Sequence, residues 1–282
     1  MTSVHIPDLQ LNDGKRIPQL GFGVFKVPDD ETQRAVEQAI EAGYRSIDTA
    51  AFYQNERGVG AAVANSGVPR DELFITSKVW NDAHGRVNTR RSLEESLEKL
   101  KLDRLDLFLI HWPVPSRDLY VETWQTLVDL QAEGLVTSIG VSNFEPAHLE
   151  RLRVESGVVP VVSQVELHPY LVQSAVRDYN SAHGIVTEAW SPLAKGGDLL
   201  EQKVLTDIGS RYGKSPAQVV IRWHIQLGNV VIPKSVTPAR VRQNIEVFDF
   251  ALTEAELNAI SALDCGKRTG PDPNVFVAPP AA

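Results

Sequence analysis

The chain has 282 residues, of which 43% are apolar, and a formal net charge of -8. This length suits one α/β barrel of ordinary size or two modest domains. Acidic residues outnumber basic ones and no long basic run occurs, which argues against a nucleic-acid partner. The apolar runs are too short to cross a bilayer, so we expect no membrane partner.

The single cysteine and the N-terminal stretch indicate a cellular compartment. Cys265 has no partner for an internal disulfide, and we interpret it as a buried or incidental thiol. The stretch MTSVHIPDLQLNDGKRIPQ lacks a basic region followed by an apolar run, so we do not expect a signal peptide. We therefore expect a soluble, cytoplasmic protein, and we expect it to be a monomer.

A β-hairpin and a regular alternation of elements follow along the chain. The turn signal Asn-Asp-Gly in LQLNDGKRIPQ predicts a hairpin over about residues 8–18. Helical patterns then separate short apolar runs that are typical of strands. These runs lie near residues 20–25, 44–47, 73–78, 105–110, 135–141, 161–165, 185–189 and 229–233.

The helical patterns carry start and stop signals. The first begins at Asp29 and stops at Gly43, and Ser215 and Thr253 each open a helix with a capping box. The connection after the seventh strand is long enough for an extra helix around 199–212. Strands alternating with helices imply parallel pairing through right-handed crossovers.

Eight such units predict a closed (β/α)8 TIM barrel rather than an open sheet. We find no linker, so the fold class is α/β with a single domain over 1–282. The proline-rich tail, over about 265–282, is expected to be an irregular loop.

Polar groups stand where the predicted strands end, which is the rim at which such barrels build active sites. Asp48 ends the second strand, with Tyr53 just beyond it. Lys78 ends the third strand and His111 follows the fourth. An acid, a phenol, an amine and an imidazole around one pocket can transfer a proton to a carbonyl group. We predict that Tyr53 is the general acid and that His111 orients the carbonyl oxygen.

Lys78 and Asp48 are expected to tune this acid. The pKa of a free tyrosine, roughly 10, is too high for efficient proton donation near neutrality. We expect the Lys78 ammonium to lower the pKa of Tyr53 by about 2–3 units, for roughly 3–4 kcal/mol of differential interaction. Asp48 would keep Lys78 protonated and oriented.

Carbonyl reduction also needs a hydride, which no side chain supplies and a nicotinamide cofactor would. No metal site emerges from the seven histidines. The stretch GFGVFK lacks the third glycine of the dinucleotide fingerprint, so any cofactor must lie on the barrel rim. Trp190 could stack on the nicotinamide ring.

Two polar groups of residues fit the rest of that cofactor. Ser142, Asn143 and Gln164 could hydrogen-bond the nicotinamide carboxamide. Lys234, Ser235 and Arg240 form a cationic and hydroxyl cluster that suits a phosphate monoester on the adenosine ribose. This cluster favours NADPH (NADP+) over NADH.

Five motifs carry a resemblance to a known family: GYRSIDTAAFYQNERGVGAAV (43–63), LDRLDLFLIHWP (102–113), IGVSNF (139–144), VSQVELHP (162–169) and VIPKSVTPARVRQN (231–244). On these motifs the chain resembles the aldo-keto reductase superfamily, and it is most similar to the bacterial branch that contains the 2,5-diketo-D-gluconic acid reductases. The resemblance implies an NADPH-dependent reductase of aldehydes and ketones, with a hairpin covering the bottom of the barrel. It implies catalytic roles for Asp48, Tyr53, Lys78 and His111.

The resemblance also implies roles around the cofactor and substrate. The cofactor-binding residues that it implies are Gly23, Val24, Ser142, Asn143, Gln164, Trp190, Ser191, Leu193, Lys234, Ser235, Val236, Arg240, Gln243 and Asn244. The substrate-binding residues that it implies are Phe25, Trp80, His111 and Trp112. Phe108 stands where many members have tyrosine, and we interpret it as a change in the core. The tail after Asp264 has no match to the long substrate loops of the animal enzymes, so we expect an open pocket.

Alternatives remain at this stage. Asp48 and Lys78 could form a structural ion pair, and Ser142-Asn143 could cap a helix. The barrel could bind NADP(H) as a redox-sensing subunit with little turnover. Lys78 could form a Schiff base in an aldolase, although pairing with Asp48 would make it a poor nucleophile. Small dicarbonyls, aromatic aldehydes and keto-sugar acids all remain open as substrates.

Overall fold

The chain begins with an antiparallel hairpin that covers the bottom of a barrel. The computed structural model describes residues 5–277, and in it β1 (Asp8–Gln10) pairs with β2 (Arg16–Pro18). Leu11 and Ile17 of the hairpin are buried in one cluster with inward-facing barrel residues such as Leu107. The predicted hairpin is confirmed.

Eight parallel strands follow, each hydrogen-bonded to the next in chain order. A parallel bridge between Leu20 and Val231 joins the first of these strands to the last, which closes the barrel. The predicted TIM barrel is therefore confirmed. The strands are β3 (Phe22–Gly23), β4 (Ser46–Asp48), β5 (Phe74–Val79), β6 (Leu105–Ile110), β7 (Val136–Ser142), β8 (Val162–Glu166), β9 (Val186–Trp190) and β10 (Val230–Val231).

Helices surround the barrel and bury their apolar faces against its outer surface, where Phe108 and Trp124 are fully buried. The interpretation of Phe108 as a core residue is confirmed. Within residues 5–277, no helix is long and apolar enough to cross a membrane. The helices are α1 (Asp29–Ala42), α2 (Glu56–Asn65), α3 (Arg86–Leu100), α4 (Tyr120–Ala132), α5 (Pro146–Ser156), α6 (Ser174–Ala182), α7 (Lys203–Tyr212), α8 (Pro216–Gln226), α9 (Pro238–Ile245) and α10 (Glu254–Ser261).

Capping follows the sequence signals at three of the helix ends. Gly43 ends α1 with a φ of 109°, a left-handed conformation that glycine adopts without strain. Ser215 and Thr253 form the expected capping boxes of α8 and α10. The cap of α5 is Glu145, so the alternative that Ser142-Asn143 caps this helix is wrong.

Three strands differ from the prediction by two residues at one end or at both, whereas the other five agree with it to within one residue. Tyr44 is excluded from β4 because its backbone N–H bonds the carbonyl of Ala39 at the end of α1. The last strand stops before Pro233, which has no N–H to donate. The first strand is also shorter than its apolar run, over Phe22–Gly23.

The C-terminal tail and its cysteine also differ from expectation. Cys265 is exposed, so of the two interpretations, a buried or an incidental thiol, the buried one is excluded. The tail is irregular, as predicted, but Phe276 packs on Trp112 with ring centroids 4.5 Å apart. Residues 278–282 lie outside the described part of the chain.

Candidate active site

Asp48, Lys78 and Tyr53 meet at the C-terminal end of the barrel because β4 and β5 are parallel neighbours. The Lys78 ammonium donates to Asp48 Oδ1 at 2.7 Å, to the Thr49 carbonyl at 2.9 Å and to the Tyr53 hydroxyl at 3.4 Å. The three donors of the ammonium are all used. The Lys78 side chain has no exposed surface, so these partners alone replace water around its charge.

The charges of this cluster are fixed by burial and pairing. Burial alone would lower the pKa of Lys78, but the charge of Asp48 and its hydrogen bond to Lys78 favour the ammonium, and the pKa lies above its ordinary value. Lys78 is therefore protonated. A protonated, paired amine is a poor nucleophile, which argues against the Schiff-base alternative.

Tyr53 differs from the sequence-based expectation. Burial raises the pKa of Tyr53 to about 12, and the nearby charge of Lys78 opposes this effect without reversing it. The expected lowering of this pKa is therefore wrong for the protein without ligands. The cause is that one ammonium, already shared with Asp48, does not offset the loss of water around a phenolate. Tyr53 holds its proton throughout the neutral range.

His111 follows β6 and faces the same floor. Its backbone is held on both sides, since its N–H bonds the Val79 carbonyl and its carbonyl accepts from Asn143 Nδ2 at 2.9 Å. Its ring lies edge-on to Tyr53, with ring centroids 5.7 Å apart. Burial lowers the pKa of His111 well below its usual range, and the charge of Lys78 adds to this. The imidazole is therefore neutral.

Gln164 links Asp48 to a second carboxyl group that the sequence analysis did not identify. Gln164 Nε2 donates to Asp48 Oδ2 at 2.8 Å and to Glu188 Oε2 at 2.8 Å. The parallel register places Gln164 beside Glu188, so that both side chains enter the barrel together. We call Asp48, Tyr53, Lys78, His111, Gln164 and Glu188 the buried floor.

Trp190 stands beside this floor at the end of β9. Its indole N–H donates to Asn143 Oδ1 at 2.8 Å, and Asn143 Nδ2 also contacts Ser142 Oγ at 3.0 Å. Asn143 has a φ of 63°, a left-handed conformation that asparagine tolerates better than most residues. This turn aims its amide between His111 and Trp190 and fixes the indole in the cavity wall.

A cavity of about 1080 Å³ opens above the buried floor. Most residues predicted for the site line it. Three do not: Lys78 lies wholly below the surface, Val24 is buried in the core, and Val236 is exposed. The predicted residues that line the cavity are Gly23, Phe25, Asp48, Tyr53, Trp80, His111, Trp112, Ser142, Asn143, Gln164, Trp190, Ser191, Leu193, Lys234, Ser235, Arg240, Gln243 and Asn244.

Aromatic rings form the wall beside Tyr53 and His111. Phe25 packs on Tyr53 with ring centroids 4.9 Å apart. Phe52 stacks on Trp80 at 3.8 Å, with 18° between the ring planes. The sequence analysis missed Phe52, although it directly precedes Tyr53. These rings leave little polar surface around the predicted proton donor.

Lys234, Ser235 and Arg240 line another part of the cavity, and we call them the cationic rim. Lys234 and Arg240 are exposed, and within residues 5–277 neither has a hydrogen-bond or ion-pair partner. The segment leads into the N-terminus of α9, where backbone N–H groups also favour an anion. Two unneutralised cations in a chain with net charge -8 indicate an anionic ligand.

The C-terminal tail forms a further wall, which the sequence analysis did not predict. Glu166 at the end of β8 accepts hydrogen bonds from the backbone and hydroxyl of Thr269 and from the Gly270 N–H. A Cβ at Gly270 would lie 2.5 Å from the Trp190 ring, so only glycine fits there. Thr269, Gly270 and Phe276 line the cavity, which is less open than we expected.

Across residues 5–277, no group of three or more His, Cys, Asp or Glu side chains is arranged to hold a metal ion. The site therefore offers a buried, protonated phenol beside an ammonium and a neutral imidazole, under a cavity that is lined in part by the cationic rim.

Comparison with known proteins identifies the family of this chain. The model of the aldo/keto reductase family matches residues 19–264. The methylglyoxal reductase DkgA of Yersinia pestis is 55% identical over 271 residues, which is 96% of this chain and 97% of that protein. The chain therefore belongs to the aldo/keto reductase family, and the predicted family and enzyme class are confirmed.

Solved structures agree with this assignment. The crystal structure of an aldo/keto reductase from Brucella melitensis is 51% identical, with a TM-score of 0.89, and covers 92% of this chain and 100% of that one. A mutant of Gox0644 in complex with NADPH is 46% identical, with a TM-score of 0.93, and covers 97% of this chain and 100% of that one.

Proposed function

We propose that this chain is an NADPH-dependent reductase of aldehydes and ketones, with short dicarbonyls such as methylglyoxal among its substrates. The observation that carries the proposal is the buried floor, where the Tyr53 hydroxyl lies 3.4 Å from a fully buried ammonium beside a neutral imidazole. The substrate class is supported by the name of the DkgA relative, a methylglyoxal reductase.

The residues present fit NADPH. The cationic rim holds two cations that have no carboxylate partner within residues 5–277, which suits the phosphate monoester that distinguishes NADPH from NADH. Trp190 presents an indole fixed at its N–H. Among residues 5–277, the Gln164 side chain forms hydrogen bonds through its Nε2 alone, which leaves its carbonyl oxygen for a carboxamide N–H. NADPH bound there would supply the hydride.

The chain's own residues supply the proton and the orientation. A substrate carbonyl oxygen beside the Tyr53 hydroxyl would receive its proton as negative charge develops on that oxygen. The Lys78 ammonium stabilises the resulting phenolate, and Asp48 keeps Lys78 charged and in place. His111, being neutral, can donate a single N–H to the same oxygen. The aromatic wall excludes water, which strengthens each of these interactions.

The part of the cavity beside Tyr53, which is lined by aromatic rings, favours small or apolar carbonyl compounds. Phe25, Phe52, Trp80 and Trp112 surround the proton donor with apolar surface, and Phe276 narrows the opening. The monomeric state and the cytoplasmic location stay predictions, and light scattering of the purified protein tests the first of them.

Tyr53→Phe tests the proposal. We expect the variant to lose about 10²–10⁴-fold in turnover of methylglyoxal with NADPH, because the general acid is removed. We expect its dissociation constant for NADPH to stay close to that of the unaltered protein, since the ring is retained. Wild-type turnover in Tyr53→Phe would contradict the proposal. Oxidation of one equivalent of NADPH that then stalls, in the unaltered protein, would instead favour a redox sensor.

A further inference from the structure

Glu188 is a buried carboxyl group of the floor for which the proton-transfer scheme above has no use. It lies on β9 with 1% of its surface exposed. Its Oε2 accepts from Gln164 Nε2 at 2.8 Å, and the same nitrogen donates to Asp48 Oδ2 at 2.8 Å. One amide group thus joins two buried carboxyl groups.

The charges around this bridge do not balance if both carboxyl groups are ionised. The floor contains one ammonium, Lys78, and it contacts Asp48 Oδ1 at 2.7 Å. In the described part of the chain, no cation contacts Glu188. Two carboxyl groups that share a buried site with one cation do not both ionise readily, and the one without the cation keeps its proton.

The groups that face Glu188 come from several elements. Asp48 reaches it from β4, Lys78 from β5 and Tyr53 from the short helix Ala51–Tyr53, while its neighbours in the sheet are Gln164 of β8 and the apolar Val230 of β10. Burial raises the pKa of Glu188 to about 8, and the charge of Asp48 adds to this, while Gln164 and Lys78 act in the opposite direction.

We propose that Glu188 is a positioning residue that stays protonated at neutral pH, fixes the amide of Gln164 and keeps the floor free of a second negative charge. Asp48 is a carboxylate and only accepts hydrogen bonds, so the nitrogen of Gln164 must face it. The carbonyl oxygen of Gln164 is then held as an acceptor toward the cavity. The part of this inference that concerns the cofactor rests on the proposed function.

The charge of Glu188 also affects the proton donor. An ionised Glu188 raises the pKa of Tyr53 and that of Lys78. Its ionisation therefore makes Tyr53 a weaker acid, and it adds negative charge beneath the place proposed for the nicotinamide ring. We expect reduction to slow as Glu188 loses its proton, and the positively charged oxidised ring of NADP+ to be bound better relative to NADPH.

The sign of the stability effect follows from the raised pKa. Between the ordinary glutamate pKa of 4.5 and about 8, the folded protein holds a proton that the unfolded chain has released. The contribution of Glu188 to stability is fully present below 4.5 and is lost as the pH rises through 8. Glu188→Gln, which is neutral at every pH, should remove this dependence.

The experiment compares the unaltered protein with Glu188→Gln and with Glu256→Gln. Glu256 is a matched control because it is also buried but caps α10 away from the cavity, where glutamine can keep the capping box. The ratio of the NADPH to the NADP+ dissociation constant is measured by tryptophan fluorescence. We expect it to rise several-fold through about pH 8 in the unaltered protein and the control, and to stay flat in Glu188→Gln.

Two further measurements make the outcome decisive. As the pH is raised from about 5 to about 8, the denaturant concentration at the unfolding midpoint should decrease in the unaltered protein relative to that of Glu188→Gln. Infrared spectra of the unaltered protein should show the C=O stretch of a protonated carboxyl group at neutral pH that disappears through about pH 8. A Glu188→Gln variant that keeps the change of ratio near pH 8, or an unaltered protein without the infrared band, would overturn the proposal.

The infrared test needs no variant, so it decides the question even if Glu188→Gln does not fold. It also needs no cofactor. If the unaltered protein bound no NADPH and reduced no carbonyl compound, the proposed function would fail while the protonation of Glu188 could still be measured. Normal reduction with no infrared titration would overturn only the assignment of Glu188.

Discussion

The buried floor and the cationic rim lie in one cavity, but the ammonium of the floor is buried and paired whereas the cations of the rim are exposed. In the floor, Lys78 has no exposed surface and contacts Asp48 at 2.7 Å. At the rim, Lys234 and Arg240 are exposed and have no partner among residues 5–277. A buried charge must be paired within the protein because it has lost its contact with water, whereas an exposed cation is stabilised by water and needs no partner. The floor is therefore organised before any ligand binds, and we propose that the rim becomes organised when a phosphate group binds to it.

Lys78→Met tests the first half of this contrast and should have the largest effect. Removing the ammonium leaves Asp48 buried and unpaired, which should lower the free energy of unfolding by about 3–5 kcal/mol. Reductase turnover should fall by about 10²–10⁴-fold because Tyr53 loses its stabilising charge. Urea denaturation and steady-state rates measure the two effects.

A double variant separates structure from chemistry at this pair. Asp48→Asn combined with Lys78→Met removes both charges, so we expect it to recover part of the lost stability and none of the turnover. Recovery of turnover along with stability would mean that the ion pair is only structural, which was the alternative considered from the sequence.

Variants of the rim should act on cofactor choice and leave the floor intact. We expect Arg240→Met and Lys234→Met each to weaken NADPH binding by about 10–100-fold, as each removes a charge-assisted contact worth roughly 1.5–3 kcal/mol. NADH binding and thermal stability should change little, since neither cation has a partner among residues 5–277. Arg242→Met, at an exposed neighbour in α9, is the control. Equal losses for NADPH and NADH would contradict the phosphate assignment.

A variant of the cavity wall that the C-terminal tail forms should have the smallest effect, and this effect should be limited to substrate binding. A methyl group at Gly270 would meet the Trp190 ring, so Gly270→Ala should displace the tail from Glu166. We expect KM for an aromatic aldehyde to rise by about 3–10-fold. This change corresponds to roughly 1 kcal/mol of binding free energy, lost because the substrate no longer contacts Phe276 and Trp112 fully. KM for methylglyoxal and kcat for both substrates should change less. A uniform loss of kcat would show that the tail supports the floor instead.

The sequence determined the barrel and most of the floor. The alternation of apolar runs and helical patterns is a local property, and it predicted eight strands whose ends carry Asp48, Lys78, His111 and Gln164. Parallel strands bring their ends to one rim in any such barrel, so the convergence of these residues followed without a structure. The family motifs supported the same residues.

Only the tertiary structure revealed Glu188, the tail wall and the pKa of Tyr53. The sequence around Glu188 does not indicate its burial, because an acidic residue within a strand can face either the core or the solvent. Only the strand register shows which residues it faces. The tail contacts Glu166 more than 100 residues away in the chain, which no periodicity encodes. The pKa of Tyr53 depends on how completely water is excluded, and that balance of burial against one shared ammonium exists only in the folded protein.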